Sequence, residues 1–152
     1  LKSNASGLLN RISTMNEELK AVKKELEELK KQSISSGLND LIANAKEIKG
    51  VRLIVNSFKD YDINDLRTLS DEIKAEHKGV IIVFATENNG KVTFMVSVSD
   101  DLLEKGYHAG NMIKQIAAAA GGGGGGKADM AQAGAKDPSR TKEALELAET
   151  LI

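Results

Sequence analysis

Val80-Ile81-Ile82-Val83-Phe84-Ala85 is an uninterrupted apolar run, and after Asn89-Gly90 comes Val92-Thr93-Phe94-Met95-Val96-Ser97-Val98, which alternates. The first run is what a strand covered on both faces requires. Asn-Gly is the residue pair that takes two successive positive φ values most easily, so the two runs are read as a hairpin with a type I′ turn. Working upstream, Gly79 ends a helix that Asp62 is placed to cap, with Ile63, Leu66, Leu69 and Ile73 on its apolar face as far as about His77. Val51 to Val55 supplies an earlier strand. Strand, helix and strand at this spacing form a βαβ unit with a right-handed crossover. The sheet is therefore mixed, one parallel and one antiparallel pair being required.

Working downstream, Asp100-Asp101 opens a short helical turn, Gly106 interrupts it, and a helix from about Tyr107 to Ala119 carries Met112, Ile113, Ile116 and Ala119 at helical spacing. Met130 to Ala133 is a short strand pattern. Asp137-Pro138 places a cap and a first-turn proline ahead of a last helix with Ala144, Leu147, Ala148 and Leu151. The expected fold class is α/β (α+β): a small mixed sheet packed with helices, over residues 37–152.

Residues 1–36 read differently. Leu8, Ile12, Met15, Leu19, Val22, Leu26 and Leu29 are spaced alternately by four and three, the pattern of a coiled coil. Such a stripe needs a partner, and a homodimer through this arm is expected. An upstream helix, or folding back on the globular part, are the alternatives. Ser33 to Gly37 is read as a helix stop and hinge, followed by a short helix with Leu38, Leu41, Ile42 and Ala45. The chain opens at Leu1 inside a running helix pattern, and is read as a piece of something longer.

Hydrophobic content of 41% and charged content of 28% are those of a globular protein. There is no cysteine for a disulfide framework or a thiolate metal site, which fits a reducing cytoplasm. Net charge is −1, which excludes a globally basic nucleic-acid binder, yet its distribution is uneven. Residues 37–101 hold 8 basic and 11 acidic side chains, residues 102–142 hold 6 and 3. A polyanion is expected to land on the second region, on Lys105, Lys114, Lys127, Lys136, Arg140 and Lys142 with His108 nearby.

That region contains the glycine run Gly121, Gly122, Gly123, Gly124, Gly125 and Gly126. Residues without a Cβ serve where backbone must come close to something, and two readings stay open. Either a turn exposes several N–H groups to a phosphate, or two elements pack with no room for a side chain. For Gly134 the packing reading is favoured. Gly121 to Lys127 nearly spells a Walker A loop, but Ala128 cannot ligate magnesium and the run follows a helix rather than a strand. His77, at a helix end, is read as structural. Asp71-Glu72 and Asp100-Asp101 are adjacent pairs suited to caps and solvated faces rather than to acid and base roles. Aromatic residues are 3% of the chain, too few for a stacking platform. Any nucleic acid is then recognised through backbone and shape.

Gly106-Tyr107-His108-Ala109-Gly110, the six glycines, and Lys127-Ala128-Asp129-Met130-Ala131-Gln132-Ala133-Gly134 resemble the C-terminal domains of alanyl-tRNA synthetases, within the DHH-associated domain family. The resemblance covers about residues 37–152. It implies a non-catalytic module that binds alanine-specific tRNA at its outer corner and helps couple aminoacylation with editing, with dimerisation supported by the arm. ATP, magnesium and zinc sites are implied only upstream, in the parent ligase, and none in this segment. RNA contacts are expected at Lys105, His108, Lys114, Gly121 to Gly126, Lys127, Gln132, Arg140 and Lys142, the basic residues because they cluster in sequence around the glycines. Phosphoesterases of the same family carry a His after the glycines; Lys127-Ala128 stands there instead, which counts against an enzyme but leaves a phosphoesterase-related binding domain, or a pure dimerisation module, as alternatives.

Overall fold

The structure, a computed structural model, describes residues 5–152. It divides into two compact units between Asn39 and Asp40.

In the first unit helix α1 (Ala5–Ala43) begins and runs unbroken through Ser33 to Gly37, where a stop was expected. The reason is local. Leu, Glu and Lys, strong helix formers, dominate the preceding turns, and the Ser36 hydroxyl donates to the Ser33 carbonyl at 3.0 Å, so this serine is accommodated within the helix. Leu8, Ile12, Met15, Leu19, Val22, Leu26 and Leu29 are between 51 and 67% exposed. The residues expected to form a separate helix, Leu38 to Ile42, are the last turns of α1.

The second unit is built on a six-stranded sheet: β1 (Lys46–Ile48), β2 (Val51–Lys59), β3 (Val80–Asn88), β4 (Lys91–Val98), β5 (Gly123–Gly126) and β6 (Met130–Ala135). Its order is β1-β2-β3-β4-β6-β5, so β1 and β5 form the two edges. Only β2 and β3 are parallel; they are joined by helix α2 (Ile63–Glu76). Asp62 caps α2, its carboxylate accepting from the Asn64 N–H at 2.7 Å. The Asn89-Gly90 turn has the expected pair of positive φ values, 52° and 72°. Strand β1 escaped the sequence reading because three residues give no period. It is folded back on β2 by Lys49 and Gly50, both at positive φ.

Register sorts the sheet into two faces. Leu53, Ile81, Val83, Val96, Phe94, Ala131 and Ala133 lie on one, under helices α4 (Ala109–Ala119) and α5 (Thr141–Thr150). Phe84 and Met95 lie on the other with Gln132 in the same row, and α2 contributes Leu66, Leu69 and Ile73 to the buried set. Phe58 meets Phe84 edge to face at 5.2 Å. Between β4 and α4 lies the short helix α3 (Asp100–Leu103). A 3₁₀ turn over Pro138 to Arg140, capped by Asp137, precedes α5, where one continuous helix was expected.

Candidate nucleic-acid interface

The glycine run is the largest departure from expectation. Gly123 to Gly126 are not a turn but an edge strand, β5, paired with β6 in the register Gly123 to Gly134, Gly124 to Ala133, Gly125 to Gln132 and Gly126 to Ala131. The turn is confined to Gly121, whose φ is 67°. A Cβ on Gly124 would lie 2.4 Å from the Ala133 Cα, one on Gly122 2.1 Å from the Gly134 oxygen, and one on Gly126 2.6 Å from the Ala131 Cα. Real Cβ atoms do not come so close, so this strand exists because the side chains are missing. Gly134 behaves oppositely to its packing reading: a Cβ there would meet nothing within 4 Å. It sits across from Gly123, which is equally open.

The edge position also decides how many amides are free. Gly121 and Gly122 N–H groups donate to the carbonyls of Ala118 and Ala117 at the end of α4. Lys127 N–H closes the β5–β6 turn on the Met130 carbonyl at 2.9 Å. Counting back from that bond, the antiparallel alternation turns Gly125 and Gly123 toward β6 and directs the N–H groups of Gly124 and Gly126 away from it. The outward backbone of β5 thus presents alternate amides rather than a nest of several. The N-terminus of α4 is not available to an anion, since the Ala109 and Gly110 N–H groups donate to the carbonyls of Ala128 and Lys127 at 2.8 and 3.1 Å. That docking requires Gly110, where a Cβ would lie 2.7 Å from the Gly126 oxygen.

Several expected contact residues come together here. Lys127, exposed, forms the turn; Lys114, exposed on α4, reaches to within 3.7 Å of where a Gly125 side chain would begin; His108 precedes α4 with its ring over Gly110. The His108 Nδ1 is buried without a hydrogen-bond partner. Gln132 lies on β6 beside Gly125. Others are placed elsewhere. Lys105 sits between α3 and α4, where its charge acts on Asp101. Arg140 and Lys142 are exposed on the 3₁₀ turn and α5, paired along the chain with Glu143 at 3.4 Å and Glu146 at 3.8 Å.

Arg67 was missed by the sequence reading. With the Gln132 amide oriented so that its oxygen faces the guanidinium, Arg67 Nε and Nη2 donate to that oxygen at 2.6 and 3.0 Å. Both residues line an open groove of about 370 Å³ with Gly125, Gly126, Lys127 and Asp129. No spacing rule links a helix residue at position 67 to a strand residue at 132; the register of β3, β4 and β6 brings them together. Among the described residues no group of three His, Cys, Asp or Glu is arranged to hold a metal ion, and no helix is long and apolar enough to cross a membrane.

Residues 50–152, which include the glycine hairpin, match the DHHA1 domain family. The chain belongs to that family. Over all 152 residues this DHHA1 chain is 40% identical to the alanine–tRNA ligase of Natranaerobius thermophilus and 43% identical to that of Acetivibrio thermocellus, of which it spans 17% each. The crystal structure of the C-Ala domain from Aquifex aeolicus alanyl-tRNA synthetase matches with a TM-score of 0.66 at 28% identity, over 71% of this chain and 96% of that one. The family resemblance read from the glycine motif is thereby established. The DHHA1 chain spans about a sixth of the length of the ligases it matches.

Proposed function

We propose that this DHHA1 domain is the tRNA-binding, non-catalytic C-terminal module of a cytoplasmic alanine–tRNA ligase, serving protein biosynthesis. The observation that carries the reading is the convergence of Lys114, Lys127 and Arg67 on a strand edge made of glycine. Three cations beside a backbone without side chains offer a sugar-phosphate chain both charge and close approach. Aromatic residues take no part, so the tRNA is held by shape at its outer corner, and by holding it the module helps one tRNA reach both the aminoacylation and the editing site of the parent enzyme. ATP, magnesium and zinc are used upstream of this segment.

Titration with full alanine tRNA, a minihelix lacking the outer corner, and a plain RNA duplex at two salt concentrations tests this. Preference for the full tRNA is the expected result. Equal binding to all three reduces the surface to an unspecific basic patch, and no binding at either salt rejects the proposal.

The exposed stripe from Leu8 to Leu29 supports a second element of the proposal, a homodimer through α1. Changing Leu19 and Leu26 together to Asp is expected to convert a dimer to a monomer in sedimentation while leaving the second unit folded; a monomeric parent chain removes this element.

A further inference from the structure

The groove beside β5 and β6 holds charges that the fold leaves unneutralised. Arg67 is fixed by two donors on one neutral amide oxygen, and among the described residues it has no carboxylate within ion-pair distance. Asp129 lines the same groove without pairing to Arg67 or Lys127. Two cations alone would suit any anion; a carboxylate set beside them would repel one. A ligand that carries an anionic group next to a hydroxyl donor satisfies both signs at once.

Geometry narrows the roles. A guanidinium has five donors, and with Nε and one Nη2 hydrogen committed to Gln132, the remaining Nη1–Nη2 edge is a fork that matches a phosphate. Gln132 is held at a fixed position in the sheet between Met95 and Gly125, so the fork is oriented before any ligand arrives. On the floor, Gly125 and Gly126 place no side chain between the backbone and the ligand. In RNA the group next to a phosphate that can donate to a carboxylate is the ribose 2′-hydroxyl.

We infer that this groove is a subsite for one ribonucleotide of the RNA backbone, in which Arg67, seated by Gln132, takes the phosphate and Asp129 accepts a hydrogen bond from the 2′-hydroxyl. The inference rests on the RNA-binding reading above and assigns the chemistry of one part of it. Asp129 is then the residue that separates RNA from a bare polyanion.

The test is a titration of the full chain with alanine tRNA at several salt concentrations, comparing the unchanged protein with Arg67→Ala, Arg67→Gln, Gln132→Ala, Asp129→Ala and Asp129→Asn. The two Arg67 variants are expected to bind about tenfold more weakly, with a salt slope shallower by about one. Gln132→Ala is expected to weaken binding less, since the charge stays but loses its seat. Asp129→Ala is expected to weaken binding a few-fold, and Asp129→Asn to retain most of it, because the amide oxygen still accepts. Unchanged affinity in both Arg67 variants overturns the inference, and so does tighter binding by Asp129→Ala, which would show a carboxylate that only repels phosphate. If the unchanged chain fails to bind, the functional proposal falls first and this one with it.

Discussion

Two hairpins of the second unit, β3–β4 and β5–β6, are stabilised by opposite means. In the first, Ile81, Ile82, Val83, Phe84, Phe94, Met95 and Val96 are all fully buried, and the strands are held by what their side chains fill. In the second, β5 has no side chains and β6 supplies Ala131, Ala133 and Ala135. There the strands are held by how closely their backbones approach. A strand stabilised by side chains shows a period in the sequence and tolerates small changes of volume. A strand that depends on absent side chains shows no period and tolerates none, but it leaves an edge bare of side chains, the edge to which the proposed function assigns the RNA backbone.

The largest expected effect lies in the first hairpin. Phe84→Ala removes a fully buried ring that packs on Phe58 and should cost about 3–5 kcal/mol in denaturant unfolding. In the second, Gly124→Ala adds one methyl group where the Ala133 Cα is 2.4 Å away and should cost about 2–3 kcal/mol. A Gly124→Ala variant as stable as the parent would remove the distinction between the hairpins.

This contrast also explains what was legible in the sequence. Val80 to Val98 announced its strands and turn because burial on both faces and positive φ at Asn89 and Gly90 each demand particular residues. Asp62 announced α2 for the same reason. The glycine run announced only that something comes close; nothing in six identical residues says that the neighbour is the strand Met130 to Ala135. Ser33 to Gly37 has the composition of a hinge, yet the turns on either side carry the helix through it. At the candidate site, Lys127 and Gln132 belong to the glycine motif and Lys114 to the local excess of basic residues, whereas Arg67 lies on another element and is brought beside Gln132 only by the sheet's register.

A smaller effect tests how the first hairpin is tied to the rest. Burial pushes the Asp101 carboxyl up, but hydrogen bonds from the Gly79 N–H, from Ser99 and from its own backbone N–H, with Lys105 nearby, outweigh this and hold it below the ordinary carboxylate value. A pKa lowered by folding adds stability above the unfolded-state value that is lost as pH falls through the folded one. Asp101→Asn is therefore expected to cost up to about 1 kcal/mol near neutral pH, reduced by solvent screening. The difference from the parent should shrink as acid is added below about pH 4. A gap independent of pH would show that the carboxylate is not what ties Gly79 to α3. The smallest effect is expected at Gly134→Ala, where open space should keep the change within about 0.5 kcal/mol. Set against Gly124→Ala, it separates close approach from glycine content as such.

The most direct test of the proposed RNA-binding edge is the salt dependence of tRNA affinity for Lys114→Glu with Lys127→Glu, both exposed beside β5. If these lysines lie on phosphates, affinity falls and the slope of log affinity against log salt becomes shallower by about two. An unchanged affinity and slope would contradict the assignment of the glycine edge as the RNA-binding surface.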